Sequence, residues 1–147
     1  MNLAQSINNL GAVLYALGYF EVALKKVEEA VMLYRELAAE NSKIYNAELA
    51  VGLETQGRIL SAIGRHEEAL AAFREAVQSL APYFLRYPQA YGEWMYEMLK
   101  GYLEEASKFA REPERELVCP LLAGAEALRP ELSTLLSELC QGWKNER

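Results

Sequence analysis

Aspartate is absent from this chain. All 21 acidic residues among its 147 are glutamate, and it holds one histidine and two cysteines. Most phosphoryl-transfer centres, EF-hand loops and Ser-His-Asp triads set an aspartate at a fixed place, and a zinc site needs more clustered His or Cys than this. The reading is of a protein that is not an enzyme, with no catalytic residues, no metal and no cofactor. Strand formers are scarce too, since Ile, Val and Thr together number 13. Basic residues are outnumbered, 15 against 21 for a net charge of −6, and without a basic cluster the balance argues against a nucleic-acid partner. The longest uncharged apolar stretch, Leu10 to Phe20, is about half the ~20 residues that span a bilayer. No membrane partner and no cleavable signal are read, so a cytoplasmic location is expected. Cys119 and Cys140 have neither a metal nor a redox spacing; in a Leu-rich context they read as buried small apolar groups rather than a disulfide.

What is present favours helix. Hydrophobic residues make up 52% of the chain, enough for a core, and Ala, Leu and Glu number 21, 23 and 21. The fold class is therefore all-α. An internal repeat is the strongest signal. Gly11 and Gly57, Gly18 and Gly64, Ala23 and Ala69, and Ala30 and Ala76 are each separated by 46 positions, and Leu3/Leu49, Leu14/Leu60, Leu24/Leu70 and Val31/Val77 match at the same offset.

Each unit reads as two helices. Leu3, Ile7, Leu10, Leu14 and Leu17 recur at helical spacing, and Gly18 sits where a helix ends in a left-handed residue. A second run from Val22 to Leu37 follows, with Glu21 in its first turn. Glu40-Asn41-Ser42 breaks the pattern. The second unit predicts helices over about 45–63 and from about Glu67 to Leu80 or beyond, joined at Gly64-Arg65. Gly11, Ala23 and Ala30 leave no bulk between axes, so the helices of a hairpin can approach closely. A third unit with a helix over about 89–110 puts Leu103 opposite Gly57, so packing there is expected to be wider. Beyond Pro113 the pattern weakens, with Pro120 a kink, until an amphipathic helix starts at Pro130 and serves as a cap.

The residues Ile7, Leu10-Gly11, Leu14, Ala23, Val27 and Ala30, and again Leu53, Gly57, Leu60, Ala69, Phe73 and Ala76, resemble the tetratricopeptide repeat (TPR) family. Its usual repeat is ~34 residues; the 46-residue period here is similar to the long-helix variant of kinesin light chains and bacterial multi-repeat scaffold proteins. The resemblance implies a right-handed superhelix of antiparallel helical hairpins. Repeats would occupy 1–110, in units at 3–39, 45–85 and a degenerate 89–128, with a capping helix at 130–142 and a tail at 143–147. It further implies a concave face lined by the first helix of each hairpin, on which a partner peptide or protein lies. Carried over by position, that face comprises Gln5, Asn8, Asn9, Ala12 and Tyr15, then Val51, Glu54, Thr55, Arg58 and Ser61, then Glu97, Lys100 and Glu104. Asn8 and Asn9 match the family's Asn pair that holds a peptide backbone, or are solvated residues on an exposed face; Glu54 and Thr55 replace that pair in the second unit. The Lys/Asn/Arg clamp of chaperone-tail binders is absent, and the mixed charge suits a partner of mixed or basic charge.

Other features take plain readings. Gly52 to Gly57 lacks the Lys and hydroxyl of a phosphate loop and reads as repeat packing. His66 reads as a solvated turn residue, and Glu67-Glu68 and Glu104-Glu105 as surface charge. The segment from Tyr83 to Met98 is dense in aromatics and reads as core packing, with Tyr87, Tyr91 and Trp94 as the candidate interface should the chain self-associate. The functional expectation is a protein-interaction scaffold. The alternatives are a sensor holding a small ligand or signalling peptide in the groove, and a homo-oligomeric structural module. The family match starts at residue 3, so the chain is expected to be a piece of a longer array, or Leu3, Ile7 and Tyr15 to be covered by another subunit.

Overall fold

The computed structural model describes residues 2–145; Met1 and the end of the expected tail, Glu146 and Arg147, lie outside the described residues. Among those described there is no strand, and seven α-helices follow in order: α1 (Leu3–Ala16), α2 (Phe20–Glu40), α3 (Ser42–Ala62), α4 (His66–Arg86), α5 (Pro88–Lys108), α6 (Arg115–Val118) and, after a 3₁₀ segment (Cys119–Ala127), α7 (Pro130–Asn145). Each of α1 to α4 packs on the next, and α3 also touches both α1 and α5, so α1, α3 and α5 adjoin on one side.

Local chemistry sets the boundaries. Asn2 and Gln5 form a capping box at the start of α1: Asn2 Oδ1 accepts from the Gln5 amide at 2.8 Å, and Gln5 Oε1 accepts from the Asn2 amide at 3.0 Å. Gly18 and Gly64 both lie in the left-handed region, at φ of 87° and 85°. There the Tyr19 amide donates to Leu14 O and the Arg65 amide to Leu60 O, each at 2.9 Å, closing the same helix stop twice. The third unit repeats that stop where its sequence has no glycine. Ala110, a further 46 residues on, holds φ 52°, and the Arg111 amide donates to Ala106 O at 2.8 Å. A single residue, Asn41, separates α2 from α3, so the expected three-residue break contracts and α3 starts earlier than the periodicity suggests. Helix α4 runs on through Pro82 to Arg86.

Glycines fix how closely the helices approach. A Cβ built on Gly11 would lie 2.5 Å from Val27 Cγ2, and one on Gly57 would lie 2.9 Å from Phe73 Cε1, so the repeat pairs Gly11/Val27 and Gly57/Phe73 are the same contact 46 residues apart. In the third unit α5 meets the 3₁₀ segment far less extensively than α1 and α3 meet the second helices of their hairpins, whereas its approach to α4 is close. Gly101, two residues before Leu103, brings α5 onto the same phenyl ring, where a Cβ would sit 2.6 Å from Phe73 Cε1. Phe73 is buried between two helices that each present a glycine to it. Further on, Gly92 lies against the Ala127 carbonyl and Gly124 against the Phe84 ring, seating the 3₁₀ segment on α4 and α5.

The carboxyl-terminal segment corrects the reading of the cysteines. Cys119 and Cys140 form a disulfide with Cα atoms 5.9 Å apart, joining the 3₁₀ segment to α7. No spacing motif marks the pair, because 21 residues separate them and only the fold-back at Leu128–Pro130 brings them together. Trp143 is anchored beside it, its Nε1 donating to Glu112 Oε1 at 2.8 Å and its ring under the Arg115 guanidinium.

Four stability changes follow, each measured by urea denaturation. Gly57→Val drives a branched side chain into Phe73 and is expected to cost about 2–3 kcal/mol, whereas Gly142→Ala, which meets nothing within 4 Å, gains up to about 1 kcal/mol. Ala110→Gly relieves a left-handed alanine and is expected to stabilise by about 1 kcal/mol. Reducing the disulfide, or Cys140→Ser, costs about 3 kcal/mol in a loop of this size; an unchanged midpoint in either would remove the bridge from the account.

Candidate functional site

Two clefts open on the side shared by α1, α3 and α5. The first, of about 400 Å³, is lined by Gln5, Asn8 and Asn9 of α1, Tyr34 of α2, Glu48 and Val51 of α3, and Trp94 of α5. The second, of about 210 Å³, is lined by Tyr15, Arg58, Ser61, Phe73, Glu97, Lys100, Gly101, Glu104, Glu105 and Lys108. The inward positions carried over from the family resemblance therefore fall largely into two groups.

In the first cleft the polar groups hold one another in place. Gln5 Nε2 and Asn2 Nδ2 donate to the two oxygens of Glu48, each at 3.3 Å, tying α1 to α3. Gln5 is thus occupied at both ends. Asn8 differs, being 5% exposed with no hydrogen-bond donor among the described residues reaching its Oδ1. A buried acceptor without a donor costs about 1–3 kcal/mol. Asn9 is exposed beside it. Burial, helped by the Glu48 carboxylate, pushes the Tyr34 hydroxyl up to about 12, so it stays a neutral phenol. Trp94 closes the far wall, 43% exposed, held edge-on by Tyr91, which in turn stacks edge-on against Tyr83 at 5.7 Å.

Between the clefts lies a buried carboxylate. Glu54 is 9% exposed, and Arg58 bridges it to Glu97, with Nε 3.1 Å from Glu54 Oε2 and a terminal nitrogen 3.2 Å from Glu97 Oε2. The contact to Glu54 is an ion pair off the N–H direction, leaving that oxygen without a hydrogen bond. Burial raises the Glu54 pKa; Arg58 opposes the shift and Glu97 adds to it. Thr55 spends its hydroxyl on its own helix, donating to Val51 O at 3.1 Å, and Ala12 is exposed outside both clefts.

At the floor of the second cleft, Glu105 is buried and accepts from the Ser61 hydroxyl at 2.9 Å, with His66 Nδ1 2.7 Å from its other oxygen. The surface-charge reading of Glu104-Glu105 thus fails for Glu105, and His66 is a half-buried partner stacked on Phe109, ring centroids 3.9 Å apart, rather than a solvated turn residue. Ser, His and Glu meet here without forming a nucleophile relay, because the serine donates to the carboxylate and not to the imidazole. Among the described residues no group of three His, Cys or Glu side chains could hold a metal ion, and no helix is long and apolar enough to cross a membrane.

Sequence reasoning missed Tyr34, Glu48 and Glu105, and set Trp94 apart as interface rather than cleft wall. The repeat offset held the signal for two of them, since Trp94 stands 46 residues after Glu48. Of the aromatic trio, Tyr91 packs against the core, while Tyr87 is exposed beneath Arg86. No family model, curated protein or solved structure matches this chain.

The raised Glu54 pKa fixes the sign of a pH effect. A carboxyl whose folded pKa lies above its unfolded value binds its proton more tightly when folded, so stability falls as pH rises from about 4.5 through the folded value. Glu54→Gln is expected to flatten that decline and to be more stable than the parent at pH 7, compared by urea midpoints at pH 4.5 and 7.

Proposed function

We propose that the chain is a tetratricopeptide-like interaction module, without catalytic activity, that binds an extended peptide or a protein segment along α1, α3 and α5. Support for the architecture comes from the helix stop repeated at Gly18, Gly64 and Ala110, a period of 46 residues held across three units. In this reading α1, α3 and α5 line the concave wall of a right-handed superhelix. The observation that carries the function is Asn8: its buried Oδ1 lacks a donor at the wall of an open cleft, and a passing backbone N–H would supply one. Glu48, Glu97, Glu104 and Glu105 stand against Arg58, Lys100 and Lys108 along the two clefts, a mixed lining with a slight acidic excess that favours a segment of mixed or basic charge. Neither cleft is enclosed, so a small-ligand sensor has less support than a peptide groove. The disulfide turns the expected location from the cytoplasm toward an oxidising compartment.

A random peptide display library panned against the purified chain, followed by anisotropy titration, tests this. Enriched peptides are expected to be extended and of mixed or basic charge, and to bind at least about tenfold more weakly to Asn8→Leu and to Trp94→Ala. Asn8→Leu should at the same time keep or raise the melting temperature, because it replaces an orphaned polar group with an apolar one of like size. Peptides that bind both variants as tightly as the parent would refute the groove reading.

A further inference from the structure

Among the described residues, nothing packs on the outer face of α1. Helix α3 is flanked by α2 on one side and α4 on the other, whereas α1 has only α2 and the edge of α3. Leu3, Leu10 and Leu17, spaced by seven residues, are 67%, 46% and 65% exposed, with Val13 56% exposed beside them and Ile7 and Leu14 half-buried along the inner edge. Together they form a single apolar stripe, since residues at alternating four- and three-residue spacing share one side of a helix. Tyr15 stands apart from it, stacked on Phe20 at 5.6 Å. The repeat shows what this stripe needs: 46 residues on, Leu49, Leu53 and Leu60 of α3 are all buried.

We propose that a second copy of this chain covers the stripe, the two α1 helices packing antiparallel about a two-fold axis at Leu10. Charge decides the occupant. No acidic or basic side chain precedes Glu21, so two α1 faces meet without repulsion and without burying a charge. The opposite end of the molecule offers no such face: the exposed side of α7 carries Glu131, Glu138 and Lys144 around a single exposed leucine, Leu135, and head-to-tail stacking would bury those charges. An isologous contact needs only one self-complementary patch. The four exposed side chains of each copy offer on the order of 400 Å², about half of what one partner contributes to a standard interface, and the polar rim and Ile7 and Leu14 supply more. Leu10 lies midway between Leu3 and Leu17, so antiparallel pairing sets Leu10 against its twin and Leu3 against Leu17 of the other copy. The surface is separate from the two clefts and does not rest on their function.

Light scattering on the eluting full chain gives the test. The parent is expected to weigh twice its 16.6 kDa chain mass, and Leu10→Glu with Leu17→Glu to weigh one chain with unchanged helical circular dichroism. A parent that stays at the single-chain mass up to about 100 µM, or a folded double variant that stays dimeric, overturns the proposal. Should the double variant unfold, Leu10→Cys decides. Mild oxidation is expected to link most of it into a dimer on a non-reducing gel, and a failure to link overturns the antiparallel two-fold.

Discussion

One phenyl ring sets the geometry on which the clefts depend. Phe73 projects from α4 between α3 and α5, and each of those helices meets it with a glycine, Gly57 on one side and Gly101 on the other. No side chain can be added at either without displacing the ring. The spacing and rotation of α3 against α5 are therefore fixed by a contact that tolerates almost no adjustment, in keeping with interiors packed like crystals. The second cleft opens over this ring, and Arg58, Glu97 and Lys100 take their positions from helices that Phe73 holds. Val27 against Gly11 performs the same service one unit earlier, with a smaller side chain and α1 alone.

Around that rigid frame α1, α3 and α5 bury polar groups at a cost in stability. Asn8 buries an acceptor with no donor, Glu54 buries a carboxylate whose arginine partner sits off the hydrogen-bond line, and Glu105 is buried with a serine and a histidine. Each costs stability relative to an apolar residue, and all three lie along α1, α3 and α5. The even-numbered helices behave differently. Their buried residues are almost all Ala, Val, Leu and Phe, and their charges form exposed pairs such as Arg35 with Glu75 and Arg74 with Glu114. Such pairs contribute little. This asymmetry sets the side formed by α1, α3 and α5 apart from the side that only packs, and the proposed binding face rests on it.

Much of this was legible in the residues. The 46-residue offset marked both hairpins, and Gly18 and Gly64 announced their turns, because a left-handed helix stop selects glycine strongly. Ala110 escaped notice for the same reason, as an alanine in that conformation leaves no mark in the sequence. The disulfide was invisible because it depends on a chain reversal with no repeat to predict it. Glu105 looked like surface charge since its neighbour Glu104 is exposed; its burial depends on Ser61 and His66, about 40 residues earlier, folding over it. Most of the expected positions line the two clefts, but their chemistry was not legible. Gln5 and Thr55, expected to face a partner, are engaged within the fold, whereas Tyr34 and Glu48 arrive from outside the expected set.

Amide hydrogen exchange on Phe73→Ala beside the parent chain tests the central role of that ring most directly. If Phe73 holds α3 and α5 together, the substitution should lower protection in both helices around Gly57 and Gly101 while leaving α1 and α7 close to the parent. Loss of protection confined to α4, with α3 and α5 unchanged, would contradict the account.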